Sequence, residues 1–126
     1  MELLVFLNRS YFESSDALYG EVYENDLVNQ ILRYINKHLT ENLTLEHIAA
    51  HFYISKHYLS HQFKQFTGFS TYQYIVKKRL KNAYNMLLDG ANVADACYQC
   101  GFNDYSNFLK AFRREFGKNP SDIVSA

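Results

Sequence analysis

Apolar residues recur at spacings of three and four along most of the chain, which is typical of amphipathic α-helices. The longest such stretch is STYQYIVKKRLKNAYNMLLD, residues 70–89. Ser70 and Gln73 form a capping box at its start, and Gly90 can cap its end. At about 1.5 Å per residue, the predicted helix is a rod about 30 Å long. Its predicted inward residues are Tyr72, Ile75, Val76, Leu80, Ala83 and Leu87.

Shorter helices are predicted on both sides of this central helix. Before it lie a helix over residues 26–39, capped by Asn25 or Asp26, one over 45–52, capped by Thr44, and one over 56–67, capped by Ser55. The last of these is expected to bury Tyr58, Leu59, Phe63 and Phe66. After the central helix, a short helix is predicted from Asn92, with Asp95 in its first turn, to about Cys100. A second helix is predicted to start at Asn103 or Asp104 and to run to residue 116, and a short closing helix opens at Pro120.

The two sides of the central helix carry the same pattern, a short helix, a turn and a second helix. An offset of 48 positions relates the two copies up to the turn, and an offset of 49 relates their second helices. The second offset places Leu59 on Phe108, Phe63 on Phe112 and Gly68 on Gly117. The predicted fold is therefore all-α and homeodomain-like, with about seven helices. Two helix-turn-helix subdomains, residues 26–69 and 90–126, are joined by a linker helix, residues 70–89.

Charge is distributed unevenly although the chain as a whole is neutral. Residues 1–26 hold one basic and six acidic residues, net −5, so that residues 27–126 hold twelve basic and seven acidic residues, net +5. No Asp or Glu occurs from His47 to Leu88. A basic, acid-free stretch is suited to a polyanion, because neutralised phosphates release counterions. The alternative is a basic face that is merely solvated.

In a helix-turn-helix the second helix enters the major groove, so its outward face determines what is read. In the first copy that face holds Lys56, His57, Ser60, His61 and Lys64. In the second copy it holds Tyr105, Ser106, Leu109, Lys110 and Arg113. An exposed Leu109 would suit a thymine methyl group, and the alternative is that it packs on a neighbouring element. A rod of about 30 Å is close to the ~34 Å repeat of the duplex, so one chain is expected to read two successive major grooves.

The second copy, VADACYQCGFNDYSNFLKAFRREFGKNPSDI, resembles the signature segment of the AraC/XylS family of transcription regulators. The first copy resembles the same family through LEHIAAHFYIS and YLSHQFKQFTG, and the resemblance covers about residues 26–125. It implies a sequence-specific regulator that binds double-stranded DNA. The implied base-reading residues are His57, Ser60, His61, Ser106, Leu109 and Lys110, to which Lys56 and Tyr105 are added from their position on the same faces. The implied phosphate contacts are Thr44, Lys64, Asn92 and Arg113, and Arg79 is taken as a further one.

Three residues depart from the family pattern. Tyr53 stands where the first turn often has glycine, so that either the turn avoids positive φ or the tyrosine is strained. Histidine at both 57 and 61 does not translate into a known pair of bases. Cys97 replaces the small alanine that usually packs between the helices.

Rival chemistries find little support. Cys97-x-x-Cys100, His47-x3-His51 and His57-x3-His61 have ligand-like spacings, but the cysteines fall on inward positions and there is no second CxxC. We therefore expect no metal and no cofactor. We also expect no enzyme, because neither a nucleophile elbow nor a Gly-rich phosphate loop occurs. A helical protein-interaction module is the alternative function, and weak salt dependence of binding would favour it.

The N-terminal segment, residues 1–25, is unrelated to the repeats. Residues 2–12 are predicted to form a short helix, and residues 14–26 a polar connection. The segment is interpreted as a remnant of a missing effector or dimerisation domain, with the head of a short stand-alone regulator or an ordinary packing helix as alternatives. RNA polymerase is a candidate further partner. With no apolar run near the ~18 residues that span a bilayer, a cytoplasmic location without membrane contact is expected.

Overall fold

The computed structural model describes the backbone of residues 19–125 and the side chains of residues 26–124. This part of the chain contains seven helices and no strand, which confirms the predicted all-α fold. The helices are α1 (Tyr19–Lys37), α2 (Leu45–His51), α3 (Lys56–Thr67), α4 (Thr71–Leu88), α5 (Val93–Gln99), α6 (Tyr105–Phe116) and α7 (Pro120–Ser125). The predicted helix over residues 2–12 lies outside the described residues. No helix in the described part is long and apolar enough to cross a membrane.

The helix starts follow local capping signals. The hydroxyl oxygens of Thr44 and Ser55 each accept a hydrogen bond of 3.0 Å from the backbone amide three residues later. Asn92 and Asp104 cap α5 and α6 in the same way, at 2.8 and 2.9 Å. At α4 the predicted capping box forms, because the Ser70 side chain accepts from the Gln73 amide and the Gln73 side chain accepts from the Ser70 amide.

The described part of the chain divides into two compact units, residues 19–37 with 44–73 and residues 38–43 with 74–125. In the first unit α3 packs against α1 and α2. Its buried apolar residues include Val28, Ile31 and Ile35 from α1, Ile48 and Ala49 from α2, and Leu59 and Phe63 from α3. These three helices form the first helix-turn-helix with its bracing helix.

In the second unit α5, α6 and α7 pack against one another. The core holds Leu80, Ala83, Leu87, Ala96, Cys97, Cys100, Phe108, Phe112 and Ile123. Tyr84 and Phe116 extend it, with ring centroids 4.8 Å apart. Phe108 and Phe112 therefore occupy in α6 the role that Leu59 and Phe63 have in α3, as the offset of 49 predicts.

Three expectations about helix faces and ends are wrong. The first helix begins at Tyr19 rather than after Asn25 or Asp26, since only one glycine and no proline interrupts residues 19–26. Tyr72 is 75% exposed and Thr71 is buried in its place, because one helical position turns a side chain by about 100°. Tyr58 is 41% exposed, and Gln62 is buried beside Phe63 instead.

The Arg79 side chain is anchored inside the second unit. Its Nε donates to the backbone oxygen of Leu39 at 2.8 Å, and its Nη2 donates to the backbone oxygen of Glu41 at 2.7 Å. A Cβ atom added to Gly101 would lie 2.7 Å from that Nε and 2.8 Å from the Leu39 oxygen, and Gly101 has φ +114°. Glycine is therefore required at this turn for two reasons, the lack of space for a Cβ atom and the positive φ.

The two cysteines belong to the same core. Cys97 and Cys100 are fully buried and not joined in a disulfide, and the Cys100 thiol donates to the backbone oxygen of Cys97 at 3.2 Å. Desolvation raises the pKa of both thiols, that of Cys100 to about 11. A buried thiol with a raised pKa is a poor nucleophile and a poor metal ligand, so these residues pack as small apolar groups.

The first prediction concerns Gly101. We expect Gly101→Ala to lower the free energy of unfolding by at least ~1–2 kcal/mol, because alanine is strained at positive φ and its methyl group would displace Arg79. Urea denaturation followed by circular dichroism measures the change. Gly68→Ala is the matched control, since its φ is +82° but no atom lies within 4 Å of the added Cβ. Equal losses in both variants would contradict the steric part of this account.

The second prediction concerns thiol chemistry. Raising the pKa of Cys100 from 9.0 to about 11 leaves about 100-fold less thiolate at neutral pH, so labelling of the folded protein is expected to be slower by at least that factor than in urea. The stabilisation associated with the raised pKa is fully present below pH 9 and is lost as the pH rises towards 11. Labelling with a maleimide at pH 7.5, monitored by mass spectrometry, tests this. Rapid labelling of folded protein would show that the thiols are accessible.

Candidate nucleic-acid interface

The outward face of α3 is a column of polar side chains in the first unit. The burial of Leu59 and Phe63 fixes the rotation of the helix about its axis, and this places the predicted residues Lys56, His57, Ser60, His61 and Lys64 on the exposed side. A shallow groove of about 350 Å³ runs along the column, lined by His57, Ser60, His61, Lys64 and Gln65. All five lining side chains carry hydrogen-bond donors in at least one protonation state, and none is acidic.

The two histidines of this face lie side by side, one helical turn apart. The centroids of the His57 and His61 rings are 6.4 Å apart, and their planes differ by 16°. Two base-pair steps of a duplex span about 6.8 Å. The separation of the two rings is close to this spacing, and Ser60 lies between them along the helix.

Lys56 has an acidic neighbour within the unit. Its Nζ lies 3.2 Å from Glu46 Oε2 on α2. A hydrogen bond from the backbone amide of Glu46 itself, and then the Lys56 ammonium, lower the pKa of the Glu46 carboxyl below its usual value. Both side chains are more than half exposed, and the pair is weak in water. Lys56 can therefore exchange this partner for a phosphate or a base.

The outward face of α6 in the second unit has a different chemistry. Tyr105 is 38% exposed, and Ser106, Lys110 and Arg113 are also exposed, as expected. Leu109 is not fully exposed, because it is half-buried against the core of the unit. Its packing supports the alternative that it contacts a neighbouring element, and only its remaining surface is available to a thymine methyl group.

The charges around α6 are partly paired. Arg113 Nη1 donates to Asn119 Oδ1 at 2.8 Å, which orients the guanidinium and leaves its other donors directed elsewhere. Lys77 Nζ lies 2.9 Å from Glu115 Oε1, and Glu115 is the only acid within α6. The acid is thus neutralised by a lysine of α4, and the remaining field along α6 is positive.

Thr44 and Asn92 occupy equivalent positions in the two units. Each is exposed and caps a seven-residue helix, α2 or α5. The Thr44 hydroxyl keeps its proton for an external acceptor, because it accepts in the cap. Asn92 also donates from Nδ2 to Asp95 Oδ2 at 3.1 Å, which leaves one amide proton.

Arg79 does not lie on either face. The structure uses its Nε and one terminal nitrogen to bind backbone oxygens in the second unit, and the side chain is half-buried. A guanidinium that anchors two carbonyls holds the fold together, and it is poorly placed for a phosphate. These contacts favour a structural role for Arg79 over the phosphate contact expected from the sequence, and the salt titration described below separates the two.

The histidines and cysteines with ligand-like spacings make contacts that do not form a metal site. The Tyr34 hydroxyl lies 3.0 Å from His47 Nε2, and the Tyr34 ring stacks on His51 with centroids 4.1 Å apart. Cys97 and Cys100 are buried in the other unit. Over residues 26–124, no three side chains of His, Cys, Asp or Glu converge on one point as a metal site would require.

Sequence reasoning missed two residues of these faces. Gln65 lines the α3 groove, and it could have been found because it lies four positions after His61. Arg114 is exposed and lies four positions after Lys110. The Lys56–Glu46 pair carries no such signal, because it joins side chains ten residues apart on different helices.

Comparison with known proteins also identifies a helix-turn-helix protein. A helix-turn-helix domain family matches residues 48–125. The transcriptional activator RhaS of Klebsiella pneumoniae (strain 342) is 36% identical over 125 residues, 98% of this chain and 43% of that protein. The chain thus spans less than half the length of this curated relative.

Solved structures agree with the fold. The C-terminal domain of AraT, a response regulator from Geobacillus stearothermophilus, is similar with a TM-score of 0.75 and 29% identity, covering 79% of this chain and 84% of that one. A probable AraC family transcriptional regulator from Rhodopseudomonas palustris CGA009 is similar with a TM-score of 0.71 and 30% identity, covering 79% and 95%. Together with the two helix-turn-helix units and their outward donor faces, these matches show that the chain belongs to the AraC/XylS family and contains its helix-turn-helix DNA-binding domain.

Proposed function

We propose that the chain binds specific DNA sequences as part of an AraC-type transcription activator acting in the cytoplasm. The family consists of transcription regulators rather than enzymes. The observation that carries the proposal is the pair of exposed donor faces on α3 and α6, each set by buried residues on the opposite side of its helix. Each face is proposed to read one major groove, and the expectation that the grooves are successive stays a prediction.

Base readout is assigned to His57, Ser60 and His61 in the first unit and to Tyr105, Ser106, Lys110 and the exposed part of Leu109 in the second. Lys56 joins the first set through its position at the start of α3. Imidazole, hydroxyl and ammonium groups hydrogen-bond to base edges in the major groove, where each base pair presents a distinct pattern. The two faces differ in composition, so the two half-sites are expected to differ in sequence.

Backbone positioning is assigned to Lys64 and Arg113, which lie at matching positions on α3 and α6, and to the caps Thr44 and Asn92. Neutralisation of phosphates by the two basic residues would make binding depend on salt. Activation is inferred from the relative named as an activator. Contact with RNA polymerase and dimerisation through an N-terminal domain stay predictions.

The third prediction tests the readers. We expect His57→Ala, Ser60→Ala and His61→Ala each to reduce discrimination between a selected site and random DNA by about 5- to 150-fold, the equivalent of ~1–3 kcal/mol for a lost base contact. The site is first selected from random duplexes with the unchanged chain, and fluorescence anisotropy then gives Kd for both DNAs. Asn29→Ala, an exposed residue of α1, is the control. Equal weakening on both DNAs would remove the residue from the set of readers.

The fourth prediction separates phosphate contacts from structural cations. Lys64→Gln and Arg113→Gln are each expected to weaken binding to all DNAs and to flatten the slope of log K against log salt by about 0.9. Arg79→Gln is expected to lower Tm and leave that slope unchanged, because its guanidinium binds Leu39 and Glu41. Titrations from about 50 to 200 mM salt measure the slopes. A slope near zero for the unchanged chain would instead favour the protein-interaction module.

A further inference from the structure

Tyr53 combines a strained backbone conformation with an almost entirely exposed side chain. It lies in the turn between α2 and α3 with φ 58°, and it is the only non-glycine residue with positive φ in the described part of the chain. A bulky side chain in this region of backbone conformation is an outlier that the surrounding structure must enforce. The residue is nevertheless 95% exposed. The backbone strain at Tyr53 is therefore not offset by packing of its side chain within the described fold.

The equivalent turn in the second copy of the motif has glycine at the position of Tyr53. The offset of 48 places Tyr53 on Gly101, which has φ +114° and no room for a Cβ atom. At position 53 the same turn tolerates a side chain, but glycine or asparagine would adopt its φ with less strain. A tyrosine at this position is consequently best explained by a contact outside the described fold.

The surroundings of Tyr53 favour a polyanion as that contact. It lies two residues before Ser55, which caps α3. Tyr53 therefore lies next to the start of α3 and would approach any ligand that this end of α3 binds. The nearest ionisable side chains along the chain are His51, Lys56 and His57, and no acid lies between positions 47 and 88. The one acid on α2, Glu46, lies against Lys56. The residues that follow Glu46 along the chain, up to Leu88, therefore offer no negative charge to repel an acidic target.

We propose that Tyr53 is a DNA-backbone contact of the first unit, its phenolic hydroxyl donating a hydrogen bond to a phosphate that flanks the groove read by α3. This inference rests on the proposed DNA-binding function. Tyrosine hydroxyls are among the side-chain groups that bind phosphates and fix the register of a protein on the duplex. The contact is uncharged and releases no counterion of its own, unlike that of Lys64.

The fifth prediction uses three variants of the full chain. Tyr53→Phe is expected to weaken binding to the selected site and to random DNA equally, by about 3- to 10-fold, as one lost hydrogen bond would. The salt slope should stay at the wild-type value, which distinguishes this loss from that of a lysine. Tyr53→Asn is expected to bind as weakly or more weakly, with a Tm no lower than wild type, because asparagine tolerates positive φ. Tyr72→Phe, at another highly exposed tyrosine, is the control and should change nothing.

Each other outcome overturns the proposal in a recognisable way. Unchanged affinity of Tyr53→Phe for both DNAs would show that the hydroxyl binds no phosphate. Loss on the selected site alone would make Tyr53 a base reader. Unchanged DNA affinity with reduced transcription from a reporter promoter would assign the tyrosine to a protein partner. If the unchanged chain binds no DNA in a salt-dependent manner, the proposed function itself fails, and this inference fails with it.

Discussion

Burial of the inward side of each second helix is the constraint on which the rest depends. Leu59 and Phe63 in α3, and Phe108 and Phe112 in α6, have no exposed surface. Full burial of such a side chain contributes about 1.5–3 kcal/mol, far more than any exposed polar contact on the opposite side. The apolar residues therefore set the rotation of each helix, and the outward residues follow from it. A surface that would bind DNA is in this sense a consequence of the core.

The polar contacts of the structure sort its cations into two groups. Arg79 donates hydrogen bonds to two backbone oxygens of the second unit and lies against Gly101. Lys56 and Lys77 each lie against a single exposed or half-exposed carboxylate. Such surface pairs are weak, and a nearby phosphate can compete with them. The positive charges along α3 and α6 therefore remain available, because Glu46 and Glu115 each lie against a lysine.

Much of the fold was predictable because its signals are local. The caps Thr44, Ser55, Asn92 and Asp104 act within three residues, and so the starts of the four helices of the two motifs were predicted to within one or two residues. The errors at Tyr58, Tyr72 and Leu109 depend on tertiary context, whereas the early start of α1 at Tyr19 follows from the local sequence. Tyr58 and Tyr72 resemble core residues in a helical pattern but point outward, and Leu109 is half-buried. The two carbonyls that bind Arg79 lie 38 and 40 residues away, beyond the reach of any periodicity.

The two copies of the motif share their buried apolar positions and differ in the side chains of their outward faces. Buried positions match at an offset of 49, whereas the outward positions hold His57, Ser60 and His61 in one copy and Ser106, Leu109 and Lys110 in the other. Core positions tolerate only apolar groups of fitting volume, while outward positions are limited only by what they contact. If both faces read bases, the bound sequence cannot be a simple repeat. A chain with two unlike reading helices would recognise an asymmetric site, and its orientation on a promoter would then be defined without a second copy.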